Sequence, residues 1–185
     1  MTIAEILAIA VGVSMDAFAV AICKGLSVSK VTPGQMISTG LWFGGFQALM
    51  PLIGYYAGVS FADFVSGVDH WISFLLLGII GVNMIREAVS GKCETASPDF
   101  GFRTMLTMAV ATSIDALSVG VSFAFLRVDI WITVIIIGVT TALFSFAGVG
   151  FGNILGSRFK SFAEFAGGVI LIFMGSKILI EHTCL

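Results

Sequence analysis

The chain has 185 residues, 58% of them hydrophobic and 11% charged, with a mean hydropathy of +1.08, a balance that excludes an ordinary water-soluble domain. A formal net charge of −2 and the lack of a polybasic run argue against nucleic acid and against lipid headgroup capture. Cys23, Cys93 and Cys184 are too few and too scattered for a disulfide framework or a zinc centre, and they read as free thiols.

A helix needs about 20 apolar residues to cross a bilayer, and six segments reach that length, at about 3–23, 35–57, 68–89, 104–126, 130–152 and 163–181. The first is apolar from Ile3, carries Glu5 and has no basic residue before Lys24. It therefore lacks the charged start of a secretory signal and is expected to remain as a transmembrane helix. Pro33-Gly34 and the stretch from Gly156 to Lys160 mark turns, and Ser90 to Asp99 is the longest polar connection. The chain divides into a first three-helix repeat at 1–89, a connecting loop at 90–103 and a second three-helix repeat at 104–185. Lys24, Lys30, Arg86, Lys92, Arg103, Arg158 and Lys160 gather on one side, whereas Arg127 and Lys177 lie nearer the other. By the positive-inside rule the connecting loop is cytoplasmic and both termini are outside.

Within the first span, Ser14-Met15-Asp16-Ala17-Phe18-Ala19-Val20 buries a carboxylate in an apolar run, and Ser113-Ile114-Asp115-Ala116-Leu117-Ser118-Val119 repeats it in the fourth. The likeness extends further: Gly54 and Gly58 align with Gly152 and Gly156, Phe46 with Phe144, and Gly81 and Glu87 with Gly175 and Glu181. Three spans per copy is an odd number, so the second copy enters the membrane from the opposite side, as an inverted repeat does. The fold class expected is all-α integral membrane, six transmembrane helices in two inverted three-helix repeats, with Asp16 and Asp115 at similar depth.

An ionised aspartate at a helix centre costs about 2.5 to 3.5 kcal/mol on insertion scales, and no Lys, Arg or His lies at that depth to neutralise the pair. A bound cation or a proton does so instead. On a helical wheel Ile9, Gly12, Val20 and Cys23 share the Asp16 face, while Thr104, Met108, Ala111, Ser118 and Ser122 share that of Asp115. Supporting oxygen ligands are sought in Ser14, Thr112, Ser113, Gln47 and Asn83, a donor set that suits magnesium, calcium or manganese better than zinc or copper. Met15 and Cys23 are softer candidates. Two neighbouring buried acids favour protonation when empty, which suggests metal moving outward in exchange for protons.

Blander readings fit most other features. Spacings such as Gly40/Gly44, Gly54/Gly58 and Gly148/Gly152 indicate close helix packing. Glu5, Glu87 and Glu181 sit near helix ends, where solvation explains them, and Trp42, Trp71 and Trp131 read as interfacial anchors. His182 and Cys184 lie in a terminal tail without further ligands.

Ser14 to Ala19, Met50-Pro51-Leu52-Ile53-Gly54 and Ala111 to Ala116 together resemble the bacterial manganese efflux pump family (MntP-type), within the lysine exporter superfamily. The likeness runs through essentially the whole chain. It implies a multi-pass inner-membrane exporter of Mn(II), not an enzyme, with manganese as cargo rather than a permanently bound cofactor. Asp16 and Asp115 match the acids important in that family. Beside lipid and the metal ion, protons are the partner expected for coupling.

Two rival readings keep part of this picture. Export of an amino acid would want a fixed cation or an exposed helix amino terminus at the midplane, and the sequence offers no such cation. An intramembrane aspartyl protease also uses two acids, but its Tyr-Asp and Gly-x-Gly-Asp contexts are missing here.

Overall fold

The computed structural model describes residues 2–65, 98–126 and 128–155, with scattered positions between 71 and 89 and between 162 and 180. Four helices occupy the continuous stretches: α1 (Ile3–Leu26), α2 (Pro33–Val65), α3 (Phe102–Phe125) and α4 (Ile130–Leu155). Each is long and apolar enough to cross a membrane. They correspond to the first, second, fourth and fifth expected spans, and α2 continues past the expected end at 57. The third and sixth expected spans fall largely outside the described residues, and the positions described there are helical.

Local chemistry sets the helix starts. Thr2 and Glu5 form a capping box before α1, with the Thr2 amide donating to Glu5 Oε2 at 2.8 Å. Thr32 and Gln35 repeat the device at α2, where Pro33 needs no amide partner. Asp129 Oδ1 accepts from the Trp131 amide at 3.0 Å to begin α4. At α3 the Asp99 carboxylate accepts from the Gly101 amide (2.9 Å) and the Thr104 hydroxyl (2.6 Å). These two bonds hold the Asp99 carboxyl below the usual aspartate range.

The helices pack across the two halves of the sequence. α1 lies chiefly on α4 and α2 on α3, while α2 also meets α4 and only lightly touches α1. Phe18 meets Gly148 and Ile22 meets Gly152, so α1 and α4 run parallel. Gly54 meets Leu117 and Gly58 meets Val121, so α2 and α3 also run parallel. Gly40 meets Ala142 whereas Gly44 meets Gly138, which makes α2 and α4 antiparallel. It follows that α1 and α3, the two aspartate-bearing helices, run in opposite directions.

Glycine permits the parallel seams because a Cβ on Gly152 would run into the Ile22 carbonyl, and one on Gly54 into that of Leu117. The seams also correct the repeat register in the second helices. Phe18 and Leu117 are equivalent in the aspartate repeats, so their partners Gly148 and Gly54 are the matching glycines, one turn earlier than the sequence alignment places them. Gly148, Gly152 and Gly156 are spaced by four, and a glycine pattern alone fits either register.

Outside these seams the surface is apolar: Leu41, Ile135, Leu143 and Ile154 are all more than 60% exposed. That is how a bundle presents itself to lipid. Three expectations change at the helix ends. Lys24, counted above as a loop charge, is fully buried; its Nζ donates to the Asp99 carbonyl at 2.6 Å and lies 4.6 Å from the centre of the Phe100 ring. Glu5, expected to be solvated, is ion-paired with Lys177. Cys23 is disulfide-bonded and is not a free thiol.

Replacing Gly152 with Leu forces a side chain into the Ile22 backbone, and overpacking of about 1–3 kcal/mol or more should lower the melting midpoint of the purified protein in detergent. Because Asp99 is depressed by its bonds to Thr104 and Gly101, the stability these bonds give is fully present above the ordinary carboxylate pKa and is lost as pH falls through the lowered one. Asp99→Ala should therefore melt below wild type at neutral pH, and the gap should close in acid.

Candidate functional site

Two apolar clusters fill the bundle on either side of a polar level. One joins Ile9, Ala10 and Val13 to Ala116, Val119 and Phe123 and to Val134 and Ile137. The other joins Ala17 and Ala21 to Phe43, Met105, Ala109 and Val149. Between them in the sequence of every helix stand buried polar side chains: Ser14 on α1, Gln47 on α2, Thr112 and Ser113 on α3, Thr141 and Ser145 on α4. Each polar group sequestered there needs a partner within the protein.

Ser14 and Ser113 solve this identically, each donating to the carbonyl four residues back, Ala10 and Ala109, at 2.6 Å. Thr112 turns to Met108 and Ala109, at 3.0 and 3.2 Å. Ser14 Oγ also lies 2.7 Å from Thr141 Oγ1. Since the one Ser14 proton goes to Ala10, Thr141 is the donor in that second bond. Gln47 Nε2 donates to the Val13 carbonyl at 3.0 Å. Consecutive residues of α1, Val13 and Ser14, are thus gripped from α2 and from α4. Among the described residues two buried side-chain atoms have no hydrogen-bond partner, Gln47 Oε1 and Ser145 Oγ.

Asp16 and Asp115 are both half-buried, at corresponding positions of α1 and α3. Asp16 follows Ser14 by two residues, about 200° around the helix, so it faces away from the Thr141 contact. Of its expected wheel neighbours, Ile9, Gly12 and Cys23 are buried and Val20 half-buried. Around Asp115, Ser122 is buried, Met108 and Ser118 are half-buried and Ala111 is exposed. Thr104 is engaged by Asp99 and stands apart.

Ser14 and Thr141 are joined by a direct bond and Gln47 bonds the carbonyl of the neighbouring Val13, while Thr112 and Ser113 reach carbonyls of their own helix. Met15 packs against the apolar clusters. Asn83 lies outside the described residues, as do Glu87, Glu181, His182 and Cys184. Sequence reasoning passed over Thr141 and Ser145, although hydroxyls four residues apart in the apolar run of α4 were the available signal. Among the described residues no three of His, Cys, Asp and Glu converge. The side chains buried at this level offer hydroxyl and amide oxygens, and Asp16 and Asp115 follow Ser14 and Ser113 by two residues on their helices; oxygen donors suit hard or borderline cations.

Comparison with known proteins identifies the family. The profile of the family described as "Putative manganese efflux pump" matches residues 30–179. A protein of Desulfitobacterium hafniense (strain Y51) named "Putative manganese efflux pump MntP" is 57% identical over 178 residues, covering 96% of this chain and 94% of its own. Proteins of the same name from Acetivibrio thermocellus and Mannheimia succiniciproducens are 55% and 51% identical. These cover 98% and 99% of this chain, and 92% and 98% of their own. No solved structure matches.

Hydrogen bonds between membrane helices average about 0.6 kcal/mol, with a maximum near 1.7. Thr141→Val and Ser14→Ala should each destabilise by about that amount in denaturant titrations, and the double variant by less than the sum. Simple additivity would mean that the two hydroxyls are energetically independent.

Proposed function

We propose that this chain, which belongs to the manganese efflux pump family, exports divalent manganese from the cytoplasm through a midplane site built on Asp16 and Asp115. The observation that supports the reading is a level of buried hydroxyl and amide groups between two apolar clusters, assembled from helices of both sequence halves, with Asp16 two residues after Ser14 and Asp115 two residues after Ser113. Ser14, Thr112, Ser113, Gln47 and Asn83 are the supporting residues assigned to it. Mn(II) accepts oxygen ligands, and two carboxylates match its charge.

The architecture proposed is six transmembrane helices in two inverted three-helix repeats, divided at 1–89, 90–103 and 104–185. The opposite courses of α1 and α3, and of α2 and α4, support it. So does the equivalence of the two parallel seams, in which α1 on α4 answers α2 on α3. The protein then sits in the bacterial inner membrane with both termini extracytoplasmic, following the distribution of Lys and Arg.

Proton exchange completes the cycle. With the metal gone, two acids in an apolar bundle favour protonation, and an arriving divalent cation displaces those protons. Protons bound from the outside and released inward return the empty site while manganese leaves. Manganese is cargo, and no resident cofactor takes part.

Inverted membrane vesicles make export visible as accumulation. Wild type should accumulate manganese, faster when an acidic lumen is imposed at constant voltage. Asp16→Asn and Asp115→Asn should each abolish uptake at matched folded amount. Normal transport by both variants would remove the acids from the mechanism, and indifference to the pH gradient would remove the protons.

A further inference from the structure

One turn of α2 sits between the two aspartate helices. At its start the Gln47 side chain reaches α1, giving its amide proton to the carbonyl of Val13, three residues before Asp16. At its end the Pro51 carbonyl is pressed against Gly120 of α3, five residues after Asp115, where any Cβ would collide with it. The same turn therefore touches both acid-bearing helices near their acids.

This turn also carries unsatisfied oxygen. Gln47 is 1% exposed, and its Oε1 has no hydrogen-bond partner among the described residues. The Val13 bond fixes the amide by its nitrogen and leaves the oxygen uncommitted. Pro51 lies inside the helix, and its ring nitrogen has no hydrogen to give to the carbonyl four residues back. That carbonyl belongs to Gln47. One residue therefore presents two oxygens, one from the side chain and one from the backbone, that the helix does not supply with their usual donors. Orphan buried oxygens are costly and rare in folded proteins unless something else engages them.

Interrupted helices in transporters offer such carbonyls to ions. We propose that α2 contributes the Gln47 Oε1 and the Gln47 main-chain carbonyl, freed by Pro51, as neutral ligands to the divalent cation held by Asp16 and Asp115. The inference rests on the exporter reading above and extends it in two ways. It makes Pro51 a determinant of cation affinity through an atom it lacks. It also gives the site ligands that carry no charge, so cation binding is strengthened without adding a third buried acid. The backbone oxygen cannot be removed by side-chain substitution, but its donor can be restored.

Pro51→Ala supplies the missing amide to the Gln47 carbonyl. Manganese uptake into inverted vesicles should show KM raised roughly tenfold, with kcat changed far less. A melting midpoint at or above wild type should accompany it, because a helical hydrogen bond is gained. Gln47→Leu, which removes Oε1, should raise KM by a similar factor. Direct titration of the purified variants with Mn(II) should show the same weakening. A wild-type KM in Pro51→Ala, or a rise in KM only in step with lost thermal stability, would overturn the assignment. Asp16→Asn and Asp115→Asn in the same assay separate the two ideas. If they transport normally the exporter site itself is wrong; if they are dead while Pro51→Ala keeps its KM, only the α2 ligands are.

Discussion

Inside a bundle whose outer surface is apolar, water is not at hand to satisfy a polar side chain, and the interior of this protein is organised by that shortage. Ser14 and Ser113 meet it by bonding carbonyls of their own helices. Thr141 meets it by crossing to Ser14, and the Gln47 amide nitrogen by crossing to Val13. What is left over is informative. The Gln47 Oε1 has no partner among the described residues, and aliphatic and aromatic clusters close the bundle on both sides of it. In the function proposed here, a divalent cation takes up that oxygen together with Asp16 and Asp115.

Backbone contact makes this level a joint possession of the two halves. α1 rests on α4 and α2 on α3, each seam running over glycines that let the chains meet main chain to main chain. A shift of either half must therefore carry helices of the other with it, and α2 and α4 also cross in close contact at Gly44 and Gly138. At the end of α1, buried Lys24 holds the Asp99 carbonyl and the Phe100 ring, tying the start of α3 to the first helix. In the transport cycle proposed here, exchange of access amounts to a movement between these seams around a fixed oxygen level.

Much of this was legible in the sequence, for identifiable reasons. Span positions followed from runs of apolar residues, which report bilayer crossing directly, and the acids stood out because each sits in an apolar run with the same Ser-x-Asp-Ala context. Other features were hidden by their chemistry. A glycine spaced by four from its neighbours looks alike at every turn, so Gly54 was matched to Gly152 although its contact with Leu117 answers that of Gly148 with Phe18. Lys24 reads as a loop charge unless the carbonyl and ring that receive it are known. Cys23 was one of three scattered cysteines, and sequence spacing does not reveal disulfide pairing. Thr141 and Ser145 are modest hydroxyls in a strongly apolar helix, and only the partner on α1 distinguishes Thr141. That Ser14 bonds across to Thr141 on α4 could not be read from its place two residues before Asp16.

The central claim is that the cation is held between Asp16 and Asp115. Anomalous diffraction recorded at the manganese edge, from crystals of the full chain grown with Mn(II), tests it most directly. The account predicts a single strong peak inside the bundle, at the level of Ser14 and Ser113 and within ligand distance of both carboxylates. A peak bound to one acid alone, or lying outside that level while both acids remain bonded to protein groups, would contradict it.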